Sequence, residues 1–162
     1  MQVTRIHSLR NDGQRNGFTL VDVTVAVLIT GILASVATPA FTGFLQHARA
    51  DAAAKRIRAD LDLARRAAVA QSRMQVVQFS VSSSVYTIPG MAHLDHPGQT
   101  YSVNMNLTPY SSTIQSAVLG SDAHSQFNRF GVPDSGGVIT VKSGRATQTV
   151  TIDPGSGKAS VP

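Results

Sequence analysis

The chain has 162 residues and no cysteine or glutamate, so all nine acidic groups are aspartates. That length fits one domain of ordinary size plus an anchor. The missing thiols exclude a disulfide framework, a cysteine nucleophile and zinc sites built on thiolates. The formal charge of +5 sits in residues 1–73, because from Met74 onward Arg129, Lys142, Arg145 and Lys158 balance Asp95, Asp122, Asp134 and Asp153.

Residues 1–17 form a short leader with Arg5, Arg10 and Arg15 against Asp12. From Phe18 to Ala40 the only ionisable side chain is Asp22. A run of that length can cross a ~30 Å hydrocarbon core at about 1.5 Å per residue, which predicts a transmembrane helix over 18–40. A cleaved secretory signal is the alternative, with Ala34-Ser35-Val36-Ala37 imitating its cleavage site, but the run is longer than such signals carry. A carboxylate within a membrane helix costs about 2.5 to 3.5 kcal/mol on insertion scales, so Asp22 calls for a partner or a shallow position. Pro39 is expected to kink the helix, because its ring clashes with the preceding turn and it has no amide hydrogen.

Residues 41–73 read as an amphipathic stalk helix continuing the anchor, from about Thr19 to Gln71 overall. Leu45, Ala48, Ala52, Ile57, Leu61, Ala64 and Ala68 supply the apolar stripe. Asp51 and Lys55, Arg56 and Asp60, Arg58 and Asp62, and Asp62 and Arg66 are spaced for ion pairs on the other faces. The basic run therefore reads first as a solvated, internally paired face, and second as a site for nucleic acid or anionic lipid.

Residues 74–162 change to an alternating period. Strands are predicted at 77–81 and 85–88 around a turn at Ser82-Ser83-Ser84, and at 101–107. Further strands are predicted at 138–142 and 148–152 around Ser143-Gly144-Arg145, and at 158–161 after the turn Asp153-Pro154-Gly155-Ser156-Gly157. The stretches 89–98 and 108–125 read as loops. The fold class is α+β, a long N-terminal helix packed on a mainly antiparallel sheet.

Catalytic chemistry is not visible. His93-Leu94-Asp95-His96 could hold a metal, but it lies between Pro89-Gly90 and Pro97-Gly98 with no third site and reads as an exposed loop. Gly155-Ser156-Gly157-Lys158 lacks the P-loop spacing, and Asp153 has too few oxygen donors around it for calcium. No serine occupies a nucleophile elbow. An enzyme, a cofactor and a metal site are not expected.

The string Gly17-Phe18-Thr19-Leu20-Val21-Asp22, between a basic leader and an apolar run, resembles the prepilin signal of type IV pilins and type II secretion pseudopilins. Leu61 to Gln71 followed by a Val-rich strand, the stretch Phe127-Asn128-Arg129-Phe130-Gly131-Val132-Pro133, and the terminal hairpin with Gly157-Lys158 resemble the GspH/FimT branch of minor pseudopilins. The resemblance implies a pilin-like fold and cleavage by a prepilin peptidase between Gly17 and Phe18. It also implies N-methylation of Phe18 and retention of the apolar run in the inner membrane, with the head in the periplasm. Pro39 falls where such proteins commonly carry a helix-distorting proline. Asp22 stands where the family usually has glutamate, a carboxylate thought to meet the terminal ammonium of a neighbouring subunit during assembly, and its reach is one methylene shorter. Implied partners are the peptidase, other pilins or pseudopilins, the inner-membrane assembly platform and membrane lipid.

The alternative function is a FimT-like minor pilin that captures DNA in natural transformation, with Arg129, Lys142, Arg145 and Lys158 on phosphates. The neutral balance beyond Met74 counts against it unless the fold segregates the charges.

Overall fold

The computed structural model describes residues 18–93 and 96–162, with the backbone alone at 36–40. Two compact units divide the chain, Met1–Pro39 and Ala40–Pro162. Helix α1, Leu20–Ala70, has residues in both. The predicted leader lies outside the described residues.

In the second unit α1 is rich in alanine, which favours helix at little entropic cost. Its buried face is Ala50, Ala53, Ala54, Ile57, Leu61, Ala64 and Ala68. The predicted stripe holds from Ile57 onward but not before: Ala48 and Ala52 are exposed and Leu45 only half-buried. The step from Ala52 to Ile57 is five residues, which moves the two to different faces of a 3.6-residue helix. The helix ends in a left-handed turn at Ser72 (φ 49°). There Arg73 N donates to Ala68 O at 3.1 Å and Ser72 N to Val69 O at 3.2 Å, which satisfies two of the last carbonyls.

The strands are β1 (Gln75–Ser80), β2 (Val85–Ala92), β3 (Thr100–Asn104), β4 (Thr113–Leu119), β5 (His124–Phe127), β6 (Gly137–Ser143), β7 (Ala146–Ile152) and β8 (Ala159–Ser160). They form two four-stranded antiparallel sheets rather than one, ordered β3-β2-β1-β5 and β4-β6-β7-β8. Both predicted hairpins form, with Ser80 opposite Val85 and Ser143 opposite Ala146. The predicted loops are corrected: β2 extends to Ala92, while β4 and β5 occupy much of 108–125 and its edge. Conversely, β3 stops at Asn104, so Leu107 is not in a strand.

One core joins helix and sheets. Ala53, Ala54, Ile57, Leu61, Ala64 and Ala68 meet Val77, Phe79, Tyr86, Ile88, Tyr101 and Phe127 of the first sheet, and Ile114, Leu119, Ile139, Val141, Val150 and Ile152 of the second. The alanines let the helix approach closely, and each fully buried Ile or Leu contributes about 1.5 to 3 kcal/mol.

Candidate functional site

The start of α1 closes on itself. Thr19 O accepts from Val23 N at 3.3 Å, so Thr19 is the N-cap. Its hydroxyl oxygen accepts from Asp22 N at 3.2 Å, while Asp22 Oδ2 accepts from Thr19 N at 3.1 Å and from the Thr19 hydroxyl at 2.8 Å. This is a reciprocal capping box in which aspartate replaces the usual glutamate, with a negative charge favourable at the positive end of the helix dipole. Phe18, just before the cap, is 91% exposed. Gly17, the other half of the predicted cleavage site, lies outside the described residues.

Beyond the cap, the large apolar side chains among the described residues of the first unit are exposed on every face, including Leu20, Val21, Val23, Val27, Leu28, Ile29, Ile32 and Leu33. Three hydroxyls fold back onto helix carbonyls: Thr24 onto Val21 O at 2.9 Å, Thr30 onto Ala26 O at 2.7 Å and Ser35 onto Ile32 O at 2.7 Å. A surface that is apolar all round and hides its own polar groups is unlike the one-faced stripe of a water-exposed helix. Among the described residues, no helix is long and apolar enough to cross a membrane; the predicted span also takes in 36–40, whose side chains lie outside that set. Helical backbone continues through Pro39, whose side chain, and with it the predicted kink, is not among the described ones.

The four head cations assigned to phosphate do not form one patch. The β6–β7 turn docks on the helix, with Arg145 N donating to Gln46 Oε1 at 3.0 Å, so Arg145 and Lys142 belong to that end of the head. Arg129 and Lys158 flank Gly131 and Gly157, which meet at Arg65: a Cβ on Gly157 would overlap Gly131 O and lie 3.2 Å from Arg65 Cδ, and one on Gly131 would lie 3.2 Å from Arg65 Cγ. Gln46 and Arg65 are about 28 Å apart along α1 at 1.5 Å per residue. The Arg129 guanidinium lies 4.8 Å from the centre of the exposed Phe130 ring.

The stalk ion pairs differ from expectation. Lys55 and Asp51 pair at 2.7 Å, but Asp62 approaches Arg65 at 3.9 Å, and Arg58 and Arg66 make no ion pair among the described residues. Arg56 and Asp60 pair at 3.1 Å, yet not on a solvated face, for Asp60 is only 5% exposed. Its Oδ2 also accepts from the hydroxyls of Tyr86 at 2.5 Å and Tyr101 at 2.8 Å, and Arg56 Nη2 donates to the Tyr101 oxygen at 2.5 Å. Burial, and then the Asp60 charge, hold the Tyr86 hydroxyl above the usual phenol range. Burial works against the Arg56 charge, but Asp60 more than restores it and raises its pKa. A buried carboxylate with three donors is a structural clasp of helix to sheet. Only the spacing of Arg56 and Asp60 was visible beforehand, since the tyrosines come from β2 and β3.

The histidine cluster is partly outside the described residues, which omit Leu94 and Asp95. His93 and His96 meet edge to face with ring centres 4.8 Å apart, and His93 stacks on Tyr101 at 5.7 Å. Asp153 faces inward to its own turn, Oδ1 accepting from Gly155 N at 3.1 Å, Ser156 N at 2.6 Å and the Ser156 hydroxyl at 2.7 Å. It is a turn cap, and Gly155 to Lys158 close a hairpin onto β8.

Among solved structures the chain is similar to the minor pseudopilin EpsH from the Type 2 Secretion System of Vibrio cholerae. The TM-score is 0.52 with 11% sequence identity, covering 70% of this chain and 96% of that one. It is also similar to the type IV minor pilin FimU of Pseudomonas aeruginosa in two crystal forms, each with a TM-score of 0.49. The P21 form has 16% identity over 70% of this chain and 87% of that chain, and the P65 form 20% over 69% and 91%. No family model and no curated protein matches the chain. The architecture is thus a pilin-like α+β fold, as the prepilin-like motif implied.

Proposed function

We propose that the chain is a minor pilin or pseudopilin, a non-enzymatic structural subunit of a pilus-like filament of a type II secretion or type IV pilus system in the bacterial inner membrane. In this reading a prepilin peptidase removes residues 1–17, cutting after Gly17, and Phe18 becomes the methylated terminus. Residues 18–40 anchor the subunit as a single pass, 41–73 form the stalk and 74–162 the periplasmic head. Other pilins or pseudopilins and the assembly platform are its protein partners, and Asp22 is the contact between subunits.

One observation carries the reading: a helix start that exposes apolar side chains on every face and folds its hydroxyls inward, in a chain of pilin-like fold. Such a surface demands burial in lipid or among like helices. Mass spectrometry of the membrane-extracted protein tests it. The expected first residue is Phe18 carrying one extra methyl group, and any other first residue removes the reading.

A further inference from the structure

Resting on the membrane-anchor reading above, we infer that Phe41, Phe44, Arg49, Lys142 and Arg145 form a collar that binds the anionic phospholipid headgroups of the bilayer surface.

The collar is assembled by a contact between residues 99 apart in the chain, the Arg145 amide on Gln46 Oε1 at 3.0 Å. A Cβ on Gly144 would overlap the Gln46 side chain, so the turn seats flush against the helix. The Ser143 hydroxyl, donating to Ser111 O at 3.1 Å, fixes the hairpin from the other side. Arg145 is therefore held by its amide at the helical turn that carries Gln46, and Lys142, exposed on the outer face of β6 between the buried Val141 and Ser143, stands three residues before it.

Charge at this end has one sign. Arg49, Lys142 and Arg145 make no ion pair among the described residues, and the nearest carboxylate along the helix, Asp51, is held by Lys55 at 2.7 Å. Phe41 and Phe44 are 66% and 71% exposed at the first turns after the apolar run. Aromatic rings followed by cations are what the boundary between hydrocarbon and headgroups accepts.

Distances fit the same layer. Gln46 is about 9 Å past Ala40 at helical rise. A headgroup layer is about 5 to 7 Å thick, and the Debye length is about 8 Å at physiological salt. Long Lys and Arg side chains at that level reach the surface charge. Arg129 and Lys158, about 28 Å further along α1, do not. A nucleic acid would satisfy the cations but leave both phenylalanines in water, so the bilayer surface is the occupant that uses the whole collar.

The test uses the full chain reconstituted in vesicles of phosphatidylcholine alone or mixed with phosphatidylglycerol. Thr147→Cys supplies the only thiol, on an exposed position opposite Lys142, for a nitroxide probed with a water-soluble paramagnetic relaxant. Shielding is expected to rise with phosphatidylglycerol and fade with salt, each cation contributing about a fivefold gain in docking. Lys142→Glu with Arg145→Glu should abolish the dependence, whereas Arg129→Glu with Lys158→Glu, the same charge change at the other end, should leave it intact. Retention of the protein on the vesicles with shielding independent of phosphatidylglycerol overturns the collar alone. Shielding that instead follows protein density assigns the face to a second copy of the chain and also overturns it. Release from both vesicle types on alkaline washing overturns the anchor, and the collar with it.

Discussion

Tyr86 donates its hydroxyl to Asp60 Oδ2 at 2.5 Å, across 26 residues of sequence, and so ties β2 to α1 at the centre of the head. The same oxygen takes Tyr101 and Arg56. Asp60→Ala leaves two buried phenols and the part-exposed Arg56 guanidinium without their acceptor and should cost about 2 to 3 kcal/mol, mostly from the phenols. Tyr101→Phe, which removes one donor, should cost about 1 kcal/mol. Urea denaturation of the detergent-solubilised chain measures both, and a cost below about 1 kcal/mol for Asp60→Ala contradicts the clasp.

The clasp also sets an alkaline limit. Burial, then the bond to Asp60, push the Tyr101 hydroxyl up to about 12, above the ordinary phenol value of about 10. A folded-state pKa above the unfolded one gives stability that is complete below about pH 10 and is lost as pH rises towards 12. Tyrosinate absorbance followed together with circular dichroism should show ionisation and unfolding in one step over that window. Ionisation of Tyr101 near pH 10 with the fold intact would contradict the shift.

At the far end, Gly157 sits at φ 66° with no room for a Cβ beside Gly131 O. Gly157→Ala combines backbone strain with overpacking and should cost about 2 to 4 kcal/mol. Gly98→Ala has a similar φ of 92° but meets nothing within 4 Å, so it isolates the strain part. Thermal melts of the two variants should differ, with Gly157→Ala the lower.

The Asp153 turn has the opposite pH sign from the tyrosines. Hydrogen bonds from the Ser156 hydroxyl and amide hold its carboxyl below the usual carboxylate range. Its support for the turn is therefore full above the ordinary aspartate value and is lost as acid passes through the lowered one. Hydrogen exchange at the Gly155 and Ser156 amides should quicken on that acid limb relative to other turns, and Asp153→Ala should make it quick at every pH.

Asp22 has two employments, the cap seen on Thr19 and the subunit contact proposed for it. Thr19→Val removes the hydroxyl side of the cap, at about 1 kcal/mol to the helix end, and leaves the carboxylate in place. Cross-linking through single introduced cysteines should show that Thr19→Val still assembles and Asp22→Ala does not. Equal behaviour of the two would make Asp22 a cap and nothing more.

Legibility in the sequence followed the regularity of each segment. The stripe from Ile57 to Ala68 and the hairpins at Ser82–Ser84 and Ser143–Arg145 were readable because period and turn chemistry agree there. Strand β4 was not, because a register shift between Ile114 and Ser116 breaks its alternation, so that Ser116 and Ala117 are both half-buried and Val118 is exposed. Asp60 read as a surface partner of Arg56 because a spacing of four says who can meet and nothing of what covers them. The division of Arg129 and Lys158 from Lys142 and Arg145 depends on where two turns land on α1, which no local pattern records.

The bond from Arg145 to Gln46 has a kinetic consequence. Synthesis at about 5 to 20 residues per second delivers Gln46 some 5 to 20 s before Arg145, 99 residues later. Until the end of that interval the stripe from Ala53 to Ala68 lacks the cover of the second sheet, since β6 and β7 come almost last. Contacts so distant along the chain also close slowly. The head is thus sealed from its C-terminal end, by the hairpin that leaves the ribosome when the stalk has long been waiting.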